Sequence, residues 1–246
     1  MVDSTASRLA STVSGGTHRL TISLAPCRPA QLLIYSECGM ATLFLVRHGE
    51  TAWNREGRWQ GQHDEPLSEV GREQAAAIAE RLAPLQPHAL HASDLARAWA
   101  TALAIGETTR LTPLADPRLR EVDVGEWRGL TPAETAARYP AGYARWGEGG
   151  TGWRDGETYG AMRLRAVGAI EELLRGRNAG SRIVVVTHGG VIRALVLHAL
   201  GLPDERRRSL GTGPTATLTM IEAASEGPWR LLSFNDSGHL PADAGD

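Results

Sequence analysis

The segment LFLVRHGETAWN, Leu43 to Asn54, decides how this chain is read. Apolar residues run from Ala41 to Val46 without the alternation of a half-exposed strand, so the run reads as a strand covered on both faces, the habit of parallel sheets. It stops at Arg47, His48 and Gly49, with Glu50 following. Turns are ordinarily built from residues chosen for backbone shape, so a cation and an imidazole there mark a place that handles negative charge. A second run, RIVVVTHGG from Arg182 to Gly190, ends the same way at His188. Ligands of open α/β sheets bind at the carboxyl ends of strands, so the two histidines are expected to face one another. Gly49 and Gly189 let backbone N–H groups approach a ligand closely, and the helix after Gly190 points its positive end into the same place. Such a pocket suits an oxyanion.

The rest of the chain alternates strand and helix. Ser68 to Leu85 reads as a helix capped by Ser68 and closed by Pro84 and Pro87, with Val70, Ile78 and Leu82 among its apolar positions. A short strand from His88 to Ala92 feeds SDLARAWATALAI, whose Leu95, Ala98, Ala102 and Ile105 share one helical face opened by Ser93 or Asp94. Thr131, Pro132 and Glu134 form the opening of a short helix that ends near Pro140. Ala141 to Gly156 is glycine-rich and carries Tyr143, Trp146, Trp153, Arg145 and Arg154; it reads as a lid rather than an element. A helix from Glu157 to Arg175, the helical VIRALVLHAL, and edge strands at Ala216 to Glu222 and Trp229 to Phe234 complete the pattern. The expected fold is a three-layer α/β sandwich, a mostly parallel central sheet with helices on both faces. Residues 41–240 are expected to form one domain, 1–40 an extension for which Met40 offers an alternative start, and 241–246 a tail.

Composition narrows the function classes. The chain has 246 residues, 42% hydrophobic and 22% charged, with a formal net charge of −2, which gives no global electrostatic footprint for nucleic acid, so anion recognition is expected to be local. No lysine appears, and the fixed side-chain cations are all arginines. Both cysteines, Cys27 and Cys38, precede the first strand, which leaves the remainder without a thiol for a disulfide or a nucleophile and makes a cytoplasmic setting the default. No apolar run approaches the roughly 18 residues of a membrane span. His88 and His91 would point to opposite faces of a strand and no His-Glu-x-x-His pattern accompanies them, so neither metal nor cofactor is expected. A homodimer stays open.

Taken in order, LVRHGETAWN, GQHDEPLSEVGREQA, SDLARAWATA, LREVDVGEWRGLT and VTHGGVIRAL resemble the histidine phosphatase superfamily in its phosphoglycerate mutase-like branch, over about Thr42 to His239. The resemblance implies that His48 attacks phosphorus to form a phosphohistidine that water then releases. It places Arg47, Arg97 and a protonated His188 around the phosphoryl oxygens, Asn54 in contact with phosphate, and Glu121 as an initially protonated general acid and then base. Gln60, Ser93 and Gly189 are further pocket candidates. For the attack, His48 needs one unprotonated ring nitrogen, which a backbone carbonyl secures by holding the proton on the other. The expected activity is that of a phosphomonoesterase acting on a small phosphorylated metabolite: a sugar phosphate, a phosphoglycerate derivative or a nucleotide-like ester. Mutases of the family usually follow the glutamate with Arg-His-Tyr-Gly and a long insertion; here VDVGEWRGLT follows Glu121 and His188 comes soon after, similar to the compact phosphatases. Broad-specificity, ribazole phosphate and glucosyl-phosphoglycerate types are not separated, and a cofactor-dependent phosphoglycerate mutase and an inactive phospholigand-binding relative remain alternatives. Tyr143, Trp146 and Trp153 of the lid would stack on a sugar or base while Arg145 and Arg154 meet a second anion; an aromatic-anchored surface loop is the competing reading. Trp59, Trp99 and Trp127 are expected to pack.

Overall fold

In the computed structural model, which describes residues 40–241, the elements follow in the order β1 (Ala41–Arg47), α1 (Ala52–Arg55), α2 (Glu69–Leu82), β2 (Ala89–Ala92), α3 (Ala96–Thr109), β3 (Leu114–Ala115), α4 (Pro132–Arg138), α5 (Pro140–Gly147), α6 (Tyr159–Leu174), β4 (Arg182–Thr187), α7 (Gly189–Ala199), β5 (Leu218–Ala223) and β6 (Arg230–Asp236). The expected extension and tail, and with them Cys27 and Cys38, lie outside the described residues apart from Met40 and Pro241. No helix among the described residues is long and apolar enough to cross a membrane.

One six-stranded sheet runs β3-β2-β4-β1-β5-β6. The pairings of β1 with β4, β4 with β2 and β2 with β3 are parallel, while β5 pairs antiparallel with β1 and β6. Side chains of β1 alternate between two cores, as a period of two requires. Leu43 and Leu45 pack with Ile183, Met162, Ile170 and Leu195 on the side of α6 and α7. Phe44 and Val46 pack with Ile78, Leu82, Ala98 and Ile105 on the side of α2 and α3. The unbroken apolar run is thus the signature of a strand with helices above and below it, and the three-layer expectation holds.

Register carries this packing to the site. Arg47 lies opposite Thr187, and the His48 N–H donates to the Thr187 carbonyl at 3.0 Å, so both strands end at the same level. Beyond β1 the chain is tied to the start of α2. Ser68 caps that helix by accepting from the Gly71 N–H. Its hydroxyl also donates to the Glu50 carboxylate at 2.7 Å, and the Glu50 N–H donates to Gln74 at 2.9 Å. Glu50, the carboxylate beside His48 in the sequence, is therefore a structural tether.

Three local expectations need correction, and one short strand was not foreseen. The strand at Leu218–Ala223 is internal, because β1 claims one of its edges and β6 the other. The helix after Ser93 starts only at Ala96, with Leu95 at its cap position; the Ser93 hydroxyl lies against His188, and Asp64 of a distant loop accepts from the Ala96 N–H at 2.6 Å. Val70 is exposed. The two-residue β3 is too short for any periodicity to announce.

Gly49 and Gly71 touch backbone to backbone: a Cβ on Gly71 would lie 2.0 Å from the Glu50 carbonyl oxygen. Gly71→Ala should cost about 1–3 kcal/mol of stability by overpacking, a fall in Tm of roughly 3–10 °C. Gly168→Ala on α6, where a Cβ meets nothing, should instead raise stability by about 0.5–1 kcal/mol. Thermal melts of both proteins check the pair.

Candidate active site

His48, the residue after β1, is buried. Its Nδ1 lies 2.7 Å from the Gly49 carbonyl, an acceptor only, so the ring proton sits there and Nε2 presents a lone pair. Arg97 donates from Nε to that Nε2 at 3.2 Å. The remaining guanidinium nitrogens of Arg97 are held by the carbonyls of His63 and Gly61, at 2.6 and 2.8 Å, which aims the group from α3 across the loop. His188, the residue before α7, is fully enclosed and its ring stands edge-on to His48, with centroids 5.1 Å apart. Its Nε2 lies 2.8 Å from the Ser93 hydroxyl, and its Nδ1 is buried without a partner.

Electrostatics keep both rings neutral. Removal from water, and then the guanidinium of Arg97, pushes each histidine well below its ordinary value. Without a bound phosphoryl group, burial and the neighbouring guanidinium groups disfavour the protonated His188 that the resemblance implies. Arg47 and Arg97 are each pushed down to about 10, chiefly by removal from water and against the favourable influence of Glu121. Both stay charged at neutral pH.

Glu121 arrives from a loop between β3 and α4. Its Oε2 accepts from the Gly190 N–H at the first turn of α7, and its Oε1 from the Val122 N–H, both at 2.9 Å. Each oxygen keeps a second lone pair that can carry a proton. The loop is held by Arg165 of α6, which donates to the carbonyls of Arg118, Arg120 and Glu121 and pairs with Glu157. Nothing in the local sequence marks that arginine, because its partners are backbone carbonyls more than forty positions away.

A cavity of about 170 Å³ opens over these groups. Of the sequence candidates, Arg47, His48, Asn54, Gln60, Arg97, Glu121 and Gly189 line it, while His188 and Ser93 bond to each other next to His48 and are not among the lining residues. Asn54 spends its Oδ1 on the Thr51 cap, which leaves its amide as a donor. Arg47 donates to the Gly213 carbonyl at 2.6 Å and keeps a buried, unpartnered Nε. Arg58, Trp59, Tyr159, Arg193 and Thr212 also line the cavity and were not singled out as ligand contacts. Arg193 had a legible signal, a charge within the apolar VIRALVLHAL; the others depend on loops whose course the sequence does not announce.

The expected lid is corrected. Pro140–Gly147 is a helix, Trp153 is buried, and Trp127 packs between Trp59 and Trp153 with centroids 5.4 Å away on each side. Trp146 packs on Trp59 at 5.0 Å and donates to the Tyr159 hydroxyl. Arg145 donates to the Gly152 carbonyl and Arg154 lies exposed beside Glu126. None of the five lines the cavity, so the segment is an aromatic-anchored surface region. Trp99 packs as expected, whereas Trp59 both packs and faces the cavity. Among the described residues no three metal-ligating side chains converge; His88 meets Arg182 instead.

The profile of the histidine phosphatase superfamily (branch 1) matches residues 43–237. The chain belongs to that superfamily. It is 37% identical over 217 residues to a glucosyl-3-phosphoglycerate phosphatase of Mycobacterium tuberculosis, covering 82% of this chain and 97% of the relative. A metal-independent phosphoserine phosphatase of Arabidopsis thaliana is 36% identical over 209 residues, 83% of this chain and 85% of that protein. Among solved structures, the mycobacterial glucosyl-3-phosphoglycerate phosphatase in complex with VO3 superposes with a TM-score of 0.74 at 37% identity, over 80% of this chain and 99% of that one. Within this superfamily, then, the chain keeps company with phosphatases of small metabolites.

Two outcomes follow from the geometry. A Cβ on Gly190 would fall 2.2 Å from Glu121 Oε1. Since only the end of a flexible side chain must move, Gly190→Ala should leave stability within about 1 kcal/mol of the parent while lowering kcat by roughly 10²- to 10⁴-fold, the worth of a displaced acid/base group. Steady-state kinetics beside a thermal melt separate the two effects. Because folded His48 and His188 bind protons more weakly than the unfolded chain does, their contribution is intact above about pH 6.5 and is lost as pH falls below it, at roughly 1.4 kcal/mol per pH unit for each ring. Tm measured from pH 7.5 to pH 5 should therefore decline, and His188→Asn should make the decline shallower.

Proposed function

We propose that the chain is a phosphomonoesterase that hydrolyses small phosphorylated metabolites through a phosphohistidine on His48. The observation that carries this reading is the 2.7 Å contact between His48 Nδ1 and the Gly49 carbonyl: an acceptor there keeps the ring proton on Nδ1, and the buried ring turns an unprotonated Nε2 toward a cavity that guanidinium groups line. The phosphatase names of its relatives favour hydrolysis, and the compact interval between Glu121 and His188 favours it over mutase chemistry.

In this mechanism a phosphate dianion enters and draws Arg97 Nε from the ring to a phosphoryl oxygen, a stronger charge-assisted partner. Arg47, through its unpartnered Nε, and the Asn54 amide take further oxygens. His48 Nε2 then attacks phosphorus and the ester bond breaks as Glu121 gives its proton to the departing alkoxide. The fixed guanidinium groups stabilise charge on the non-bridging oxygens throughout. In the second half a water attacks the phosphohistidine, Glu121 takes back a proton, and phosphate leaves with His48 restored. His188 adds a donor once the dianion is present, because the negative charge relieves the penalty on its protonation. A cavity of about 170 Å³ lies below the roughly 300–1,000 Å³ of pockets for drug-sized ligands, which fits a small ester whose larger substituents extend into solvent.

Brief mixing with a ³²P-labelled phosphomonoester, followed by alkaline denaturation, should trap label that acid releases. His48→Ala should lose both the label and turnover. Turnover surviving in a clean His48→Ala preparation would refute the mechanism, and an unlabelled, inactive parent protein would turn the reading toward a phospholigand-binding relative.

A further inference from the structure

The cavity holds more positive charge than a phosphate needs. Arg47 and Arg97 flank His48, and Arg58 is already neutralised by Glu56 at 2.6 Å and Glu134 at 3.3 Å. Arg193 is different. It stands on α7 three residues beyond Gly190, so it shares the helix face that carries the Gly190 N–H toward Glu121. Its helical neighbours Val191, Ile192, Ala194 and Leu195 are all buried apolar side chains. Its own Nε is buried with no hydrogen-bond partner, and among the described residues no carboxylate pairs with its guanidinium. It also lies close enough to Arg47 for the two charges to oppose each other. An unpaired cation facing another cation at the rim of a core is expensive unless something supplies the anion.

We propose that Arg193 is the specificity-determining residue of this site and receives a carboxylate carried by the substrate, so that the preferred substrates are phosphorylated hydroxy acids. The inference rests on the phosphomonoesterase reading and refines it. Geometry supports it: a phosphate held by Arg47 and Arg97 beside His48 leaves Arg193 on the cavity wall without an anion, and a substrate carboxylate supplies one. A guanidinium fork also matches a carboxylate in two parallel hydrogen bonds, which a hydroxyl cannot reproduce. Arg145 and Arg154, which the sequence suggested for a second anion, lie away from the cavity, and Arg193 takes that place on its wall.

The test compares 3-phosphoglycerate with glycerol 3-phosphate, which carries a hydroxymethyl group where the former has its carboxylate. The parent protein should prefer the acid in kcat/KM by about 10- to 100-fold, the worth of a charged hydrogen-bonded pair. In Arg193→Met that ratio should collapse toward one, whatever the absolute rates; Arg193→Lys, which keeps the charge without the fork, should retain part of it. A parent protein that prefers the alcohol, or an Arg193→Met ratio equal to the parent's, overturns the proposal, the latter marking Arg193 as a phosphate ligand or a packing residue. Ligand-induced Tm shifts repeat the comparison in His48→Ala, where 3-phosphoglycerate should stabilise more than glycerol 3-phosphate and an Arg193→Met exchange should erase the difference. Those shifts decide the inference even if neither ester turns over, the outcome that would refute the phosphatase reading instead.

Discussion

Two imidazole rings, His48 at the end of β1 and His188 at the end of β4, are held 5.1 Å apart and out of water beside guanidinium groups, and the rest of the site is arranged around that placement. Burial alone would leave a histidine as an inert core residue. Here the Gly49 carbonyl favours the proton on Nδ1, and removal from water, reinforced by the guanidinium groups of Arg97 and Arg47, disfavours a second proton. The outcome is a ring nitrogen free of a proton beside the cavity, with Arg97 Nε donating to its lone pair, which is the state that the proposed nucleophile requires. The cost is stability, since each neutral ring is held in a state the unfolded chain abandons in mild acid.

The proposed acid/base group is mounted on different terms. Glu121 hangs from a loop, yet its position is over-determined: two backbone N–H groups grip its carboxylate, and Arg165 grips the carbonyls behind it. This works only because Gly190 leaves room at the first turn of α7. The same helix therefore contributes a glycine that admits Glu121, an N–H that orients it, and an arginine one turn further on that lines the cavity. In the proposed reading catalysis and selectivity share one rigid element, which favours precision over adaptability.

The aromatic cluster shows how composition can mislead. Six glycines among tryptophans between residues 141 and 156 look like a mobile cover. In the fold the glycines permit close approach instead, as at Gly152, where a Cβ would strike the Trp127 ring. Arg207 stacks over Tyr159 and donates to the carbonyls of Gly149 and Gly150, so the segment is stapled from outside as well. The tryptophans form a wall behind the site, and only Trp59 reaches the cavity.

Local patterns were enough for much of this protein. Unalternated apolar runs announced β1 and β4, cap residues announced α2 and α4, and the chemistry at the two strand ends announced an anion site, because periodicity and capping depend on neighbours within a few positions. Parallel pairing then required only that the two strands be adjacent. Tertiary structure alone decided who meets whom: that Ser93 serves His188 rather than its own helix, that burial disfavours a charge on His188, that Arg193 lines the cavity while Arg145 and Arg154 do not, and that Gly190 makes space for Glu121. Those outcomes depend on burial and on partners brought from far along the chain, and neither quantity is written in any short stretch of it.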